Sequence, residues 1–551
     1  MLPVVFLARQ YNLRFHCRGA RHIKLHRLFA TALIRNYLFA AVATPVEKRL
    51  GVPIEAEDGC NPSIGAATFV SDARDCQVFY ICDHGWPKIT RCPGVTIWTQ
   101  IDDHEGRCEA PENGTNSVCG YVRPPPPTVT EEKIRIEDGL AYCEWHCVNS
   151  AECITNLAVC DGVQHCSDGS DESDCAVECD PRTCRLPGCR CSNTDVPGGL
   201  LPTEVPQLVM LTWESAIRLE DYNHLLQQVF KKVNNQRKRI RRENPNGCPM
   251  VGTFFINHQF NDYAATQDLY HDGHEIAAMS ISHVPDVSNY WQELDENMWA
   301  REIADQKQMF EHLSFVPESS VVGMRAPYLQ LGGNRQFSML QDNGFRYDMS
   351  WPTQQMEPPL WPYTLEYRST QECVVAPCPT ASFPGLWEVP MVDWLDTNDT
   401  VCNNVDGCYF PLSKEESLTL LRSNFRRHYE TNRAPFPLNL RARWFYEAHY
   451  NIEALTEFLD ELEALPDVYL VTVSQTLDWI MNPSRISDTA RFFTCDYSDR
   501  LPLCKEPISC TYLNITHPPN SIEHQGDRRI ETCATTCPPR YPWVNNPDGN
   551  L

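Results

Sequence analysis

No run of 18 or more apolar residues occurs in the chain, which excludes a transmembrane helix. Positive charge is scarce: 47 Lys and Arg stand against 72 Asp and Glu, for a net charge of −25. Nucleic acid is excluded as a partner on that ground, because a phosphate backbone is gripped by a basic surface. A tidy export signal is missing too. Residues 1–36 scatter Arg and Lys among apolar patches. A short apolar run, YLFAAVATP, follows, with Ala41 and Ala43 at small-residue cleavage spacing. Residues 1–43 are expected to be a signal or targeting segment.

Cysteine, by contrast, is plentiful. Twenty-seven cysteines in tight clusters point to disulfide scaffolding in an oxidising compartment, hence to secretion. Sequons at Asn113, Asn398 and Asn514 are candidate glycosylation sites, in keeping with export. The chain has 551 residues, 42% of them hydrophobic, enough for several domains and one large core.

Six cysteines, at 60, 76, 82, 92, 108 and 119, mark a first module over 57–121. A unit this small cannot bury enough apolar surface alone, so disulfides must staple it. Tyr80, Trp86 and Trp98 supply flat aromatic faces, which suit the apolar C–H faces of sugars. The spacing resembles the peritrophin-type chitin-binding domain. That resemblance implies pairs Cys60–Cys82, Cys76–Cys119 and Cys92–Cys108, and chitin or a related N-acetylglucosamine polymer as partner. The proline run RPPPPTVTEE makes 122–138 a semi-rigid linker.

A second six-cysteine module, 142–176, ends CDGVQHCSDGSDESDC. Dense carboxylates suit a hard cation such as calcium. The module resembles an LDL-receptor class A repeat. The resemblance implies disulfides Cys143–Cys153, Cys147–Cys166 and Cys160–Cys175. It also implies calcium held by Asp161, Asp171 and Glu172 with the carbonyls of Ala158 and Val163. His165 stands where the family has a fourth carboxylate, so calcium binding is expected to be weak.

Residues 200–482 alternate strand-like and helix-like segments. QLVMLTW is followed by a polar, helix-like 218–243, then VGTFFIN, then HEIAAMSIS, a pattern that argues for a parallel α/β barrel. The remaining 483–551 reads as a loop-rich tail with five cysteines, at 495, 504, 510, 533 and 537. Five cannot all pair among themselves. One bond should leave the tail, or one thiol should stay free.

Four segments of the large domain resemble the polysaccharide deacetylase family, most closely its chitin deacetylase-like members, which string the same modules in this order. That resemblance implies metal-dependent removal of N-acetyl groups, usually by zinc held by one Asp and two His, with an Asp base and a His acid. Here Glu214 takes the base position and Ser215 a ligand position, in TWES. GHEIAAMSISH puts Met279 at one ligand His and retains His283 at the other. RAPYL keeps Arg325, which in the family orients the base, and Tyr328, whose backbone N–H helps hold an oxyanion. In LNLRARW, Arg441 replaces the acid His. Asp393 of VDW aligns with the family's fourth motif. His271 and His274 read as structural.

A serine hydroxyl and a thioether are poor zinc ligands, and a guanidinium gives up no proton near neutral pH. Zinc is expected to be lost. Glu214 is expected to contact Arg325 at hydrogen-bond distance, and Trp394 and Tyr328 to line a polymer groove. The expected fold class is multidomain: a small disulfide-rich β module, a small disulfide-rich class A repeat, and a distorted β/α barrel. The expected protein is a secreted, extracellular-matrix, chitin-binding one with an inactive deacetylase-type barrel. An active metal-dependent deacetylase is the alternative. A third reading is an adhesive, receptor-like protein whose class A repeat grips a matrix protein partner.

Overall fold

A computed structural model describes the backbone of 68–71, 78–83, 86–91, 97–100 and 106–109, and most of the chain from 145 onwards, omitting 149–151, 155–157, 161–162, 174, 235, 501–503 and 518–523. The chain divides into two compact units, 1–138 and 139–551.

In the first unit, Thr68–Ser71, Val78–Asp83 and Trp86–Arg91 form an antiparallel three-stranded meander. A hairpin, Ile97–Gln100 with Gly106–Glu109, pairs Trp98 with Cys108. The targeting segment, the three pairings expected among Cys60, Cys76, Cys82, Cys92, Cys108 and Cys119, the side chains of Tyr80, Trp86 and Trp98, and Asn113 lie outside the described residues.

The second unit is built on a nine-stranded sheet. Its strands, numbered along the chain, are β1 (Gln207–Glu214), β2 (Thr253–Asn257), β3 (Glu275–Ser280), β4 (Gly323–Met324), β5 (Tyr347–Asp348), β6 (Tyr363–Thr364), β7 (Trp387–Glu388), β8 (Phe436–Leu440) and β9 (Val468–Leu470). The order is 6-7-5-4-3-2-1-8, with β9 also pairing β1. All pairs are parallel except β6–β7. No ladder joins β7 to β8 among the described residues. That side is crossed by Trp394, whose Nε1 donates to Pro437 O at 3.1 Å, so the barrel is half-open.

Strand parity sorts the core. Val209, Leu211 and Trp213 pack in one cluster with helix residues such as Leu421 and Leu455. Leu208, Met210, Phe255, Ala277 and Met279 fill a second cluster on the inner face of the sheet. Both faces of β1 are buried, as in parallel sheets generally. Glu214 shares the parity of Leu208 and Met210, so it emerges at the carboxyl end of β1 on the inner side.

Two sequence expectations need correction. The helix-like 218–243 is helical only to Val229 and then forms a ladder, Lys231–Val233 with Arg239–Arg241. Asn234 makes the turn, its side chain accepting from Lys238 N, with Arg237 at φ 58°. Local hydrogen bonding by an Asx side chain here outcompetes the helix. The tail is not loop-rich throughout: Ile508–Thr516 pairs antiparallel with Gln525–Thr532. Of its cysteines, Cys504 pairs with Cys533 and Cys510 with Cys537, while Cys495 reaches Cys248 in the barrel. Three further bridges, Cys179–Cys191, Cys184–Cys189 and Cys402–Cys408, pin surface loops. Among the described residues no helix is long and apolar enough to cross a membrane.

Candidate functional site

The carboxyl ends of β1, β2 and β3 converge on one cavity of about 460 Å³. Glu214, Ser215, Met279, His283, Tyr328 and Arg441 all border it. Three of them sit at positive φ without being glycine: Ser215 at 122°, His283 at 48° and Tyr328 at 58°. Strain of this kind persists where surrounding structure over-determines it, commonly at functional sites. The His283 turn shows how. Glu302, fully buried, accepts from Ser282 N at 2.9 Å and from Ser282 Oγ at 2.5 Å. Ser280 Oγ then meets His283 Nδ1 at 3.3 Å, and the Tyr328 ring stacks on the imidazole at 4.9 Å.

The arginines exchange the places expected of them. Arg441, at the N-terminus of the helix Ala442–Glu447, donates to Glu214 Oε1 at 2.5 Å. Arg325 stands 3.6 Å from Glu214 Oε2, an ion pair but beyond hydrogen-bond length. Its donors are spent elsewhere: Nε on Met349 O at 2.9 Å, and the two terminal nitrogens on Thr212 Oγ1 at 3.1 Å and Asn439 Oδ1 at 3.2 Å. Arg325 lies fully buried behind the cavity wall, not on it. Burial lowers its pKa to about 10, against the pull of Glu214.

Burial also works against the charge of Arg441, but the carboxylates of Glu214 and Asp406 more than offset it and hold its pKa above the usual guanidinium value. Asp406 is 3.8 Å from Arg441. Burial raises the Asp406 pKa and Arg441 opposes that. His283 is lowered to about 4, chiefly by burial, with Glu214 opposing and Arg441 adding to the fall. The imidazole is therefore neutral at pH 7.

Trp394 is 1% exposed and bonded to Pro437, so the expected groove contact through it is corrected: it packs across the open side of the barrel instead. The exposed aromatics lie elsewhere. Of the four exposed aromatic side chains among the described residues, Phe260, Tyr328 and Tyr446 border this cavity, and Tyr409 does not. Asp406, Phe260 and Tyr446 were not singled out from the sequence. Asp406 sits within the short Cys402–Cys408 loop, and the close cysteine spacing is the only local sign of it. Asp393 is buried, bonded to Asn403 and absent from the cavity lining. His274 is structural: fully enclosed, it accepts from Gly252 N at 3.0 Å.

The donor set around His283 does not fit a catalytic zinc. Among the described residues, no three His, Cys, Asp or Glu ligand atoms converge there. Met279 is fully buried with the inner core, and Glu214 is taken by Arg441.

In the class A repeat, Cys147 pairs with Cys166 and Cys160 with Cys175. Cys153 is disulfide-bonded, and its expected partner Cys143 lies outside the described residues, as does Asp161. Asp171 is fully buried, one oxygen accepting from His165 N and the other, Oδ1, lacking a hydrogen-bond partner. A buried, orphaned carboxylate oxygen fits a calcium cage, which needs hard oxygen donors. Glu172 is partly buried, and Val163 is exposed. Asn398 and Asn514 are exposed.

A half-open parallel barrel with a charged, aromatic-rimmed cavity at its strand ends defines a protein of the α/β class. Residues 60–119 match the chitin binding Peritrophin-A domain, and 142–175 the low-density lipoprotein receptor domain class A. Chitin deacetylase 8 of Bombyx mori is 37% identical over 382 residues, 68% of this chain and 94% of that protein. Chitin deacetylase 1 of Bombyx mori is 34% identical over 505 residues, 87% of this chain and 88% of that protein. Among solved structures, the Bc1960 peptidoglycan N-acetylglucosamine deacetylase aligns with 49% of this chain and 86% of its own at 13% identity, with a TM-score of 0.29. The chain belongs to the chitin deacetylase family.

Proposed function

We propose that this protein is a secreted chitin-binding member of the family whose barrel binds the polymer without deacetylating it. The observation that carries the reading is the Arg441–Glu214 ion pair at the barrel mouth. A guanidinium occupies the acid's place and neutralises the residue at the base's place. Catalytic zinc lowers the pKa of bound water from roughly 15.7 to about 7, on the order of 10 kcal/mol. Serine, thioether and one neutral imidazole cannot supply that. Losing a general acid removes a further factor of about 10² to 10⁴.

What remains suits binding. Phe260, Tyr328 and Tyr446 offer exposed rings, each held from behind. Arg528 caps Phe260 at 4.5 Å, His283 stacks on Tyr328, and the Tyr446 hydroxyl donates to Asp221 at 2.6 Å. The peritrophin-type module brings the chain to chitin, and the dense disulfides suit an extracellular matrix. The class A repeat takes calcium weakly through Asp161, Asp171 and Glu172. The test is zinc content together with acetate release from chitin oligomers by purified protein. The expected result is neither. Stoichiometric zinc with chelator-sensitive acetate release would establish an active deacetylase instead.

A further inference from the structure

A second cavity, of about 590 Å³, lies between the class A repeat and the barrel. Its size is within the range of small-ligand sites. Glu172, Val159 and Cys175 of the repeat form one wall, and Trp351, Arg368 and the 376–380 loop the other. We propose that this cleft extends the polymer groove, taking N-acetylated sugar units beyond those held at the Glu214 cavity. The proposal rests on the reading that the barrel mouth binds the polymer.

Three observations support it. The first is position. Tyr328 borders the first cavity, and Gly333 and Asn334 border the second. Five residues span at most about 18 Å of extended chain, and both cavities stand beyond the carboxyl ends of strands, where barrels place ligands.

The second is rigidity. The repeat is fastened to the barrel by an antiparallel bridge between Cys175 and Ala381, with Ala176 N donating to Thr380 O at 3.0 Å. Thr380 Oγ1 donates to Val159 O at 3.3 Å. Asn334 Oδ1 accepts from Thr380 N at 2.8 Å and Ala381 N at 3.0 Å, and Gln330 Nε2 donates to Ala376 O at 2.8 Å. Disulfides Cys160–Cys175 and Cys373–Cys378 stiffen opposite walls. A preformed cleft spares the ligand the ordering cost of assembling it.

The third is chemistry. Pro377 and Pro379 present partly exposed apolar surface, and Arg368 brings an exposed guanidinium. Apolar faces with a cationic group at the rim suit a neutral sugar with an amide substituent better than a polycation.

Hydrogen exchange on the full-length protein tests this. Chitohexaose should slow exchange in both 328–334 and 368–381, and chitobiose in 328–334 only. Pro379→Trp, which fills the cleft, should raise the half-protecting chitohexaose concentration for 328–334 about fivefold, the loss of roughly one good contact, and leave chitobiose unchanged. Arg368→Ala, at an exposed position, should act in the same direction. Protection of 328–334 alone, unaffected by either variant, would overturn the extension and leave the barrel reading intact. Protection of 368–381 alone would sustain the cleft and overturn the barrel reading. Protection of neither would overturn both. Equal protection by fully deacetylated oligomers would overturn the preference for neutral sugars.

Discussion

Arg441 donates to Glu214 Oε1 at 2.5 Å, and Arg325 holds the other carboxylate oxygen at 3.6 Å. Glu214 is thus sandwiched between two guanidiniums, one on the cavity wall and one buried behind it. Burying a carboxylate costs less free energy when cationic groups stand beside it.

Arg441→Met should destabilise the fold by about 1–3 kcal/mol, the usual value of a charged hydrogen bond lost at a partly buried site. The loss stays below that for an isolated buried charge because Arg325 remains. Urea unfolding measures it. No change would mean the pair carries no net stability.

Restoring Ser215→Asp, Met279→His and Arg441→His together should create a zinc site and acetate release at least about 10³-fold above the wild type. Zinc analysis and an acetate assay on chitin oligomers check it. A revertant that binds zinc but releases no acetate would mean that something beyond these three residues blocks the chemistry.

Asp348 and Glu388 face each other on paired strands, both fully buried. Burial raises Asp348 to about 6 and, with the neighbouring Asp348, raises Glu388 well above the carboxylate range. Groups whose folded pKa is raised favour the fold while protonated, so their stability is present below about pH 4 and declines as pH rises through 6 and beyond. Glu388→Gln should flatten the decline above pH 6. Denaturant midpoints at pH 5 and pH 9 test this, and equal slopes in both proteins would refute it.

His165→Asp should tighten calcium binding by about tenfold, one added carboxylate being worth roughly 1–1.5 kcal/mol in a cage of this kind. Calorimetry on the full chain is the measurement. An unchanged affinity would mean that His165 does not stand in the cage.

Trp86→Ala with Trp98→Ala should release the full-length protein from chitin beads at least tenfold more readily, as expected for losing stacking faces. Undiminished retention would place the main grip in the barrel.

The modules, their order and the strand-ending Glu214 were legible in the sequence because they depend on local signals: cysteine spacing, strand parity and short motifs. Ser215, Met279 and Arg441 were legible as departures from a motif for the same reason. The odd count of tail cysteines left open a bond leaving the tail or a free thiol, and only the fold decided for a bond and chose Cys248 as the partner of Cys495. Tertiary structure alone decided which arginine hydrogen-bonds Glu214, because that turns on where Thr212, Asn439 and Met349 capture the donors of Arg325. It also decided that Trp394 packs across the open side of the barrel, that Asp406 joins the site, and that the class A repeat and the barrel enclose a cleft. These contacts join residues far apart in the chain, and their partners are set by packing geometry, which no local spacing encodes.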